Sequence, residues 1–146
     1  METLLNATDV RKDWGHFIDT VVRVGPQFIK RNRDTIVAIS TDQLKVLFSS
    51  FRFKLDATRE EDGSYSGTVD GLNNGTTLTP FDVVANAPTI EELKLALTDE
   101  LVEYAREYSD EFALYFNAPN RKSHAPYVMN ILLQDSQHAV ADLIDA

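Results

Sequence analysis

Two groups of cations in this sequence are spaced so that they could hold phosphate. Arg11 and Lys12 follow Thr8, a good helix N-cap, and so read as lying in the first turns of a helix. Positive charge there opposes the helix dipole, at roughly a few tenths of a kcal/mol or more. The same placement becomes favourable when the helix N-terminus approaches an anion, because free N–H groups and basic side chains then converge on it. Lys30, Arg31 and Arg33 form the second group, at the tip of a run that reads as a β-hairpin. In an extended strand Lys30 shares a face with Phe28 and points opposite to Arg31. Contacts of this kind with nucleic-acid phosphates make binding fall with salt, with a slope of about −0.9 per phosphate. Three such cations are few for one chain, so useful affinity asks for a dimer presenting two copies. Asp9 and Asp13 can pair locally with the first group, and solvated charge on a mixed surface is the competing reading of both.

The remaining reactive side chains form no catalytic pattern, and the chain reads as a non-enzyme. His16 sits beside an apolar stripe, His124 precedes Ala125-Pro126-Tyr127 at a helix start, and His138 is near the end of the sequence. None stands at a metal-ligand spacing from another ligand, so no metal is expected. Ser64, Ser66 and Ser123 show no nucleophile elbow, and there is no phosphate-binding glycine loop. Glu60-Glu61 and Glu91-Glu92 fall in a turn and a helix start, where solvation or capping explains them. No cofactor is implied.

The elements that must position the cations read as follows. Residues 2–7 form a short strand. Val10, Trp14, Phe17-Ile18 and Val21-Val22 recur at helical spacing up to Gly25-Pro26. Gln27–Arg31 and Thr35–Ser40 are strands joined at Asn32-Arg33-Asp34. Thr41 caps a second helix bearing Leu44, Leu47-Phe48 and Phe51, although Ser49–Leu55 also alternates like a strand. Trp14, Phe17, Ile18, Leu44, Leu47 and Phe48 are the candidate core and dimer-contact residues of this lobe. A second lobe follows. Phe51–Arg59 and Tyr65–Leu72 make a hairpin, Asn73–Thr79 a loop containing the turn Asn74-Gly75-Thr76, and Phe81–Ala85 a third strand. Thr89 with Glu92 forms a capping box ahead of a helix carrying Ile90, Leu93, Leu97, Leu101, Tyr104, Ala105 and Tyr108. Glu111–Phe116 reads as a fourth strand, Ala125–Leu133 and Ala139–Leu143 as short helices. Tyr104, Tyr108, Phe112, Tyr115, Phe116 and Tyr127 are read as core, with a partner groove as the alternative. The fold class is α+β. A strand-helix-hairpin-helix lobe over residues 1–50 precedes a small α+β lobe over residues 51–146, with three or four antiparallel strands and a long helix.

Thr8-Asp9-Val10-Arg11-Lys12-Asp13-Trp14, then Phe28-Ile29-Lys30-Arg31-Asn32-Arg33 followed by Ile36-Val37-Ala38-Ile39-Ser40, resembles the DNA-binding half of the prevent-host-death (Phd/YefM) antitoxins. The resemblance implies a dimer whose paired N-terminal lobes contact operator DNA. It implies Thr8, Arg11, Lys12, Lys30, Arg31 and Arg33 as the contacts. The chain departs from that pattern twice: its hairpin turn lacks glycine, and a folded lobe stands where a short toxin-wrapping tail is usual. The element order of that lobe, with its Thr-Ile-Glu-Glu-Leu helix start, is similar to the HicB-type antitoxin domain.

Composition sets the outer bounds. The 146 residues carry no cysteine, which excludes disulfides and suits a reducing cytosol. No signal peptide or bilayer-spanning run is apparent, so a cytoplasmic location and no membrane partner are expected. The net charge of −9 hides an asymmetry: residues 1–54 hold nine Lys/Arg against six Asp/Glu, residues 55–146 five against seventeen. Such a chain can hold an anionic partner at one end and a cationic one at the other. With the resemblance, what is implied is a type II antitoxin: a homodimer, or higher even oligomer, that represses its operon through operator DNA and masks a cognate toxin, expected to be a ribonuclease. The alternative is a protein-interaction module that keeps the fold without binding DNA.

Overall fold

The computed structural model describes residues Leu4–Asp145, which fall into two compact units meeting at Leu47 and Phe48. In the first unit β1 (Leu4–Asn6) runs parallel to β2 (Gln27–Arg31), and β2 pairs antiparallel with β3 (Asp34–Ala38). Helices α1 (Ala7–Lys12) and α2 (Trp14–Arg23) cover one face, and α3 (Thr41–Phe48) runs up to the boundary. Glu2 and Thr3, read as part of the first strand, lie outside the described residues. Val10, Phe17, Val21 and Ile29 are the buried core, flanked by Ala7 and Ala38.

Several local readings change. The cap of the first helix is Asn6, whose side chain accepts from the Thr8 amide at 2.8 Å, so Thr8 is already helical. The helix read as continuous breaks at Asp13, whose carboxylate caps α2 on the His16 amide. Ser40, not Thr41, caps α3: its hydroxyl accepts from the Gln43 amide at 3.2 Å. The hairpin closes on Arg31 and Asp34 with only Asn32 and Arg33 between them. Asn32 takes a φ of 55°, a left-handed value that Asn tolerates better than other side chains, and so stands in for the absent glycine.

The second unit is a four-stranded sheet with order β6-β5-β4-β7, one face covered by helices. Its strands are β4 (Phe51–Arg59), β5 (Tyr65–Asn73), β6 (Thr77–Ala87) and β7 (Ile144–Asp145); its helices are α4 (Ile90–Asp110), α5 (Phe112–Asn117), α6 (Ala125–Leu132) and α7 (Gln137–Ala141). A 3-10 turn spans Lys122–His124. Thr89 caps α4 as read, its Oγ1 accepting from the Glu92 amide at 3.1 Å, and the helix stripe buries Leu93, Leu97, Leu101, Ala105 and Tyr108. Asn74 and Gly75, with φ of 56° and 71°, make the tight turn between β5 and β6, so the predicted loop is strand for most of its length. Glu111–Phe116 is not a strand. It is the helix α5, with Phe112 stacked on Phe116 one turn later at 5.4 Å. The fourth strand is β7, parallel to β4 and held there by Arg52, which donates to both carboxylate oxygens of Asp145 at 2.8 and 3.2 Å and to the Asp142 carbonyl.

Close approach of helix to sheet rests on two glycines. A Cβ on Gly67 would lie 2.8 Å from Leu93, and one on Gly71 would lie 2.6 Å from the Tyr127 ring and 2.9 Å from Phe81. Both face the helices, opposite the polar outer row Ser66, Thr68 and Asp70.

Candidate functional site

The basic residues of the first unit fall on α1 and on the β2–β3 hairpin. Asn6 pairs with Lys30, so α1 begins beside the tip of the β2–β3 hairpin. Thr8, Arg11, Lys12, Lys30, Arg31 and Arg33 are all exposed. Arg11, Lys30, Arg31 and Arg33 make no side-chain ion pair or hydrogen bond among the described residues; Lys12 sits 4.0 Å from Asp9 in a solvated pair of little energetic weight. One part of the electrostatic reading is corrected. Arg11 and Lys12 occupy the last turn of α1, not the first turns. There the helix dipole favours a cation, so these two residues carry no conflict with their own fold. Only the hairpin tip retains cations that nothing in the fold accounts for.

The lobe's charge is also smaller than the sequence division suggests. Arg52 and Lys54 belong to β4, in the second unit. The first unit holds seven Lys/Arg against six Asp/Glu, net +1, and the second seven against seventeen, net −10.

Apolar side chains left uncovered are a stronger signal in this unit than charge. Phe17 and Val21 point into the core, but Trp14, Ile18 and Val22, each four residues apart on α2, are 59%, 39% and 54% exposed. Leu4, Phe28 and Val37 form a row across all three strands, on the sheet face opposite the buried Ile29, and are also exposed. Of the six residues predicted as core or dimer contacts, Phe17 alone is buried. Leu44 and Phe48 are half-buried, while Trp14, Ile18 and Leu47 are exposed. Val22, read as part of the helical stripe but not among the core and dimer-contact residues, continues the exposed Trp14–Ile18 spacing. A unit of this size with four buried apolar side chains lies below the range in which one core suffices.

In the second unit the aromatic cluster read as core is so in part: Tyr108 and Tyr127 are core, Tyr104, Tyr115 and Phe116 are half-buried against it, and Phe112 is exposed. Tyr108 and Tyr127 are buried, and Tyr127 meets Phe51, Phe53 and Phe81 at 5.3–5.6 Å. His124 is a satisfied core histidine. Its Nε2–H donates to the Pro80 carbonyl at 2.8 Å, which leaves Nδ1 to accept from the Tyr104 hydroxyl at 2.6 Å. The ring stacks on Phe81 at 4.0 Å, and burial pushes its pKa below the ordinary histidine value. Burial raises the Tyr104 and Tyr108 phenols; Arg121 lies over the Tyr104 and Tyr115 rings. His16 and His138 are exposed, and no group of three His, Asp or Glu suited to a metal occurs among the described residues. No described helix is long and apolar enough to cross a membrane.

One feature of this unit was not read from the sequence. Glu100, Glu103 and Glu107, at helical spacing on α4, line with Asp82 and Arg121 a cleft of about 300 Å³ beside β6. Their three- and four-residue spacing is legible; that β6 lies beneath them is not.

Comparison with known proteins agrees with this architecture. The family profile described as PHD-like, antitoxin of toxin–antitoxin, RelE / RelB, TA system, matches residues 1–146. A crystal structure from Syntrophomonas wolfei subsp. wolfei, described as an antitoxin part of a proposed toxin/antitoxin system, superposes with a TM-score of 0.87 at 36% identity, covering 98% of this chain and 96% of that one. No curated protein matches significantly.

Proposed function

This chain belongs to the PHD-like antitoxins of RelE / RelB toxin–antitoxin systems, and from that premise we propose that each of its units has its own partner. The first unit dimerises through the apolar faces it leaves uncovered. The dimer then presents two hairpin tips, each with Lys30, Arg31 and Arg33, to the phosphates of operator DNA, so that the antitoxin represses its own operon. Thr8, Arg11 and Lys12 of α1 add to the contacts of each tip in this reading. The second unit, net −10, binds the cognate toxin directly; a toxin acting as a ribonuclease is cationic where it holds RNA, and opposite charge speeds association. The mechanism is occlusion and requires no chemistry from the antitoxin.

The observation that carries this reading is the hairpin tip. Three exposed cations cluster around a two-residue turn, and none has a partner among the described residues. A gel-shift titration on the DNA upstream of the gene tests it. Arg31→Ala with Arg33→Ala is expected to abolish retardation at moderate salt. In the wild type, affinity should fall steeply as salt rises. Wild-type retention of the neighbouring gene's product with no DNA shift at any salt would instead favour the interaction module that keeps this fold without DNA.

A further inference from the structure

We propose that the free edge of β6 in the second unit receives an extended, Lys/Arg-bearing segment of the toxin as a fifth strand. This rests on the reading that the second unit binds a cationic toxin, and it names the surface.

The edge follows from the ladder. β6 is the outermost strand on its side of the sheet, and no described strand pairs with its far side. Which backbone groups point outward can be worked out from β7. The Phe53 amide donates to the Leu143 carbonyl, toward β7, so Lys54 turns its backbone groups toward β5 and meets Asp70 there. Asp70, Thr68 and Ser66 are therefore committed to β4. Their β6 partners, Pro80, Val84 and Asn86, must point away from the sheet. Pro80 has no N–H, and its outward carbonyl is taken by His124. That end of the edge is closed. Val84 and Asn86 keep outward N–H and C=O groups, and Val84 is 73% exposed. Lysine and proline, which blunt many free edges, do not occur from Phe81 to Ala87; the irregularity of the β5–β6 ladder lies between Pro80 and Val84, and from Val84 to Ala87 the register is regular.

Charge selects the occupant. The cleft beside this stretch is lined by Asp82, Glu100, Glu103 and Glu107, with Arg121 the one cation, held over Tyr104 and Tyr115. A second copy of this chain pairing β6 to β6 would bring the same four carboxylates against these. A strand with basic side chains on the α4 side gains instead from each of them. Main-chain bonds to Val84 and Asn86 supply attachment, and the carboxylates supply selectivity.

The test uses the full chain and, as probe, the protein encoded by the neighbouring gene. Hydrogen exchange is measured at β6, and affinity is titrated for wild type, for Val84→Pro and for the triple variant Glu100→Gln, Glu103→Gln, Glu107→Gln. Proline is tolerated at an edge position whose N–H faces outward. The expected result is protection of the Val84 and Asn86 amides on binding, with affinity at least about tenfold weaker in each variant. Should Val84→Pro not fold, the triple variant, whose changes are exposed, carries the comparison. Tight binding with unchanged β6 exchange and an unaffected triple variant overturns this inference and leaves toxin binding standing. No binding of the probe by the wild type removes both.

Discussion

Gly71→Ala is expected to destabilise the second unit severely for a one-carbon change. The added Cβ would lie 2.6 Å from two atoms of the Tyr127 ring and 2.9 Å from Phe81, against ordinary contacts from 3.4 Å upward. The Tyr127 ring would have to retreat by the difference, 0.8 Å from 2.6 to 3.4 Å. It has no room to do so: the residue is 2% exposed, and Phe51 and Phe53 stand against it at 5.3 and 5.6 Å. Overpacking of this kind costs about 1–3 kcal/mol, and a rigid aromatic wedge places it at the upper end. Replacing glycine in a strand returns roughly 0.4–1 kcal/mol through the unfolded chain. The net is a loss of about 2–2.6 kcal/mol, which for a unit near 100 residues lowers Tm by roughly 8–20 °C. Thermal denaturation followed by near-UV dichroism reads the tyrosine environment directly. Gly15→Ala is the control: nothing lies within 4 Å of its Cβ, it is helical, and it should be neutral or stabilising by up to about 1 kcal/mol. A Gly71→Ala protein as stable as wild type would refute the claim that the sheet receives α6 through a glycine-sized gap.

Three further outcomes follow from the structure. Ile18→Glu, in the middle of the exposed α2 stripe, should abolish the proposed dimer in sedimentation velocity, while Thr20→Ala, off that stripe, should not. Stability of the second unit should fall on acidification in two stages. His124, whose folded pKa is depressed by burial, contributes stability that is present above the unfolded value near 6.5 and lost as pH drops toward its folded value; His124→Gln should flatten that stage in a Tm-versus-pH series. Asp145, held below the usual carboxylate range mainly by its hydrogen bond to Arg52, contributes stability above about pH 4 that is lost below it, a stage that Asp145→Asn should remove. Thr89→Ala should cost about 1 kcal/mol by urea denaturation, since it removes the acceptor for the Glu92 amide at the start of α4.

Elements with a strong local period were legible in the sequence. The stripe of α4 and its Thr89 cap, the long β4–β5 hairpin and the β2–β3 hairpin each announce themselves within one segment. What misled was a local pattern resolved by distant contacts. Phe112-Ala113-Leu114-Tyr115-Phe116 is aromatic enough for a strand, but Phe112 packs edge-on against Tyr108 at 5.5 Å, and the chain turns back along α4 as a helix. β7 is two residues long and is a strand only because Phe53 and Arg52 are there to receive it. No propensity marks it. Likewise Val10 through Val22 keeps one apolar rhythm across the break at Asp13, because α1 and α2 bury residues into the same small core. The six candidate contacts were nameable from sequence, whereas the placing of the start of α1 beside Lys30 required the parallel pairing of β1 with β2, a non-local contact.

That break at Asp13 changes where the argument for DNA rests. With one continuous helix, Arg11 and Lys12 would oppose its dipole, and an external phosphate would be the natural compensation. With two helices they close α1, where their charge is favourable without any ligand. Their placement is then what a self-sufficient fold would choose. Arg31 and Arg33 are different. A two-residue turn closed by Asn32 needs no cation, and Asp34, the one acidic residue opposite Arg31, makes no ion pair with it. Removing Arg31 and Arg33 should therefore leave the unfolding free energy within about 0.5 kcal/mol of wild type while it weakens operator binding and lowers the salt slope by about 0.9 for each lost phosphate contact. Arg11→Ala, by contrast, is expected to show a smaller effect on DNA and a measurable one on helix stability. The reverse ranking in paired gel-shift and denaturation experiments would return the DNA contact to α1.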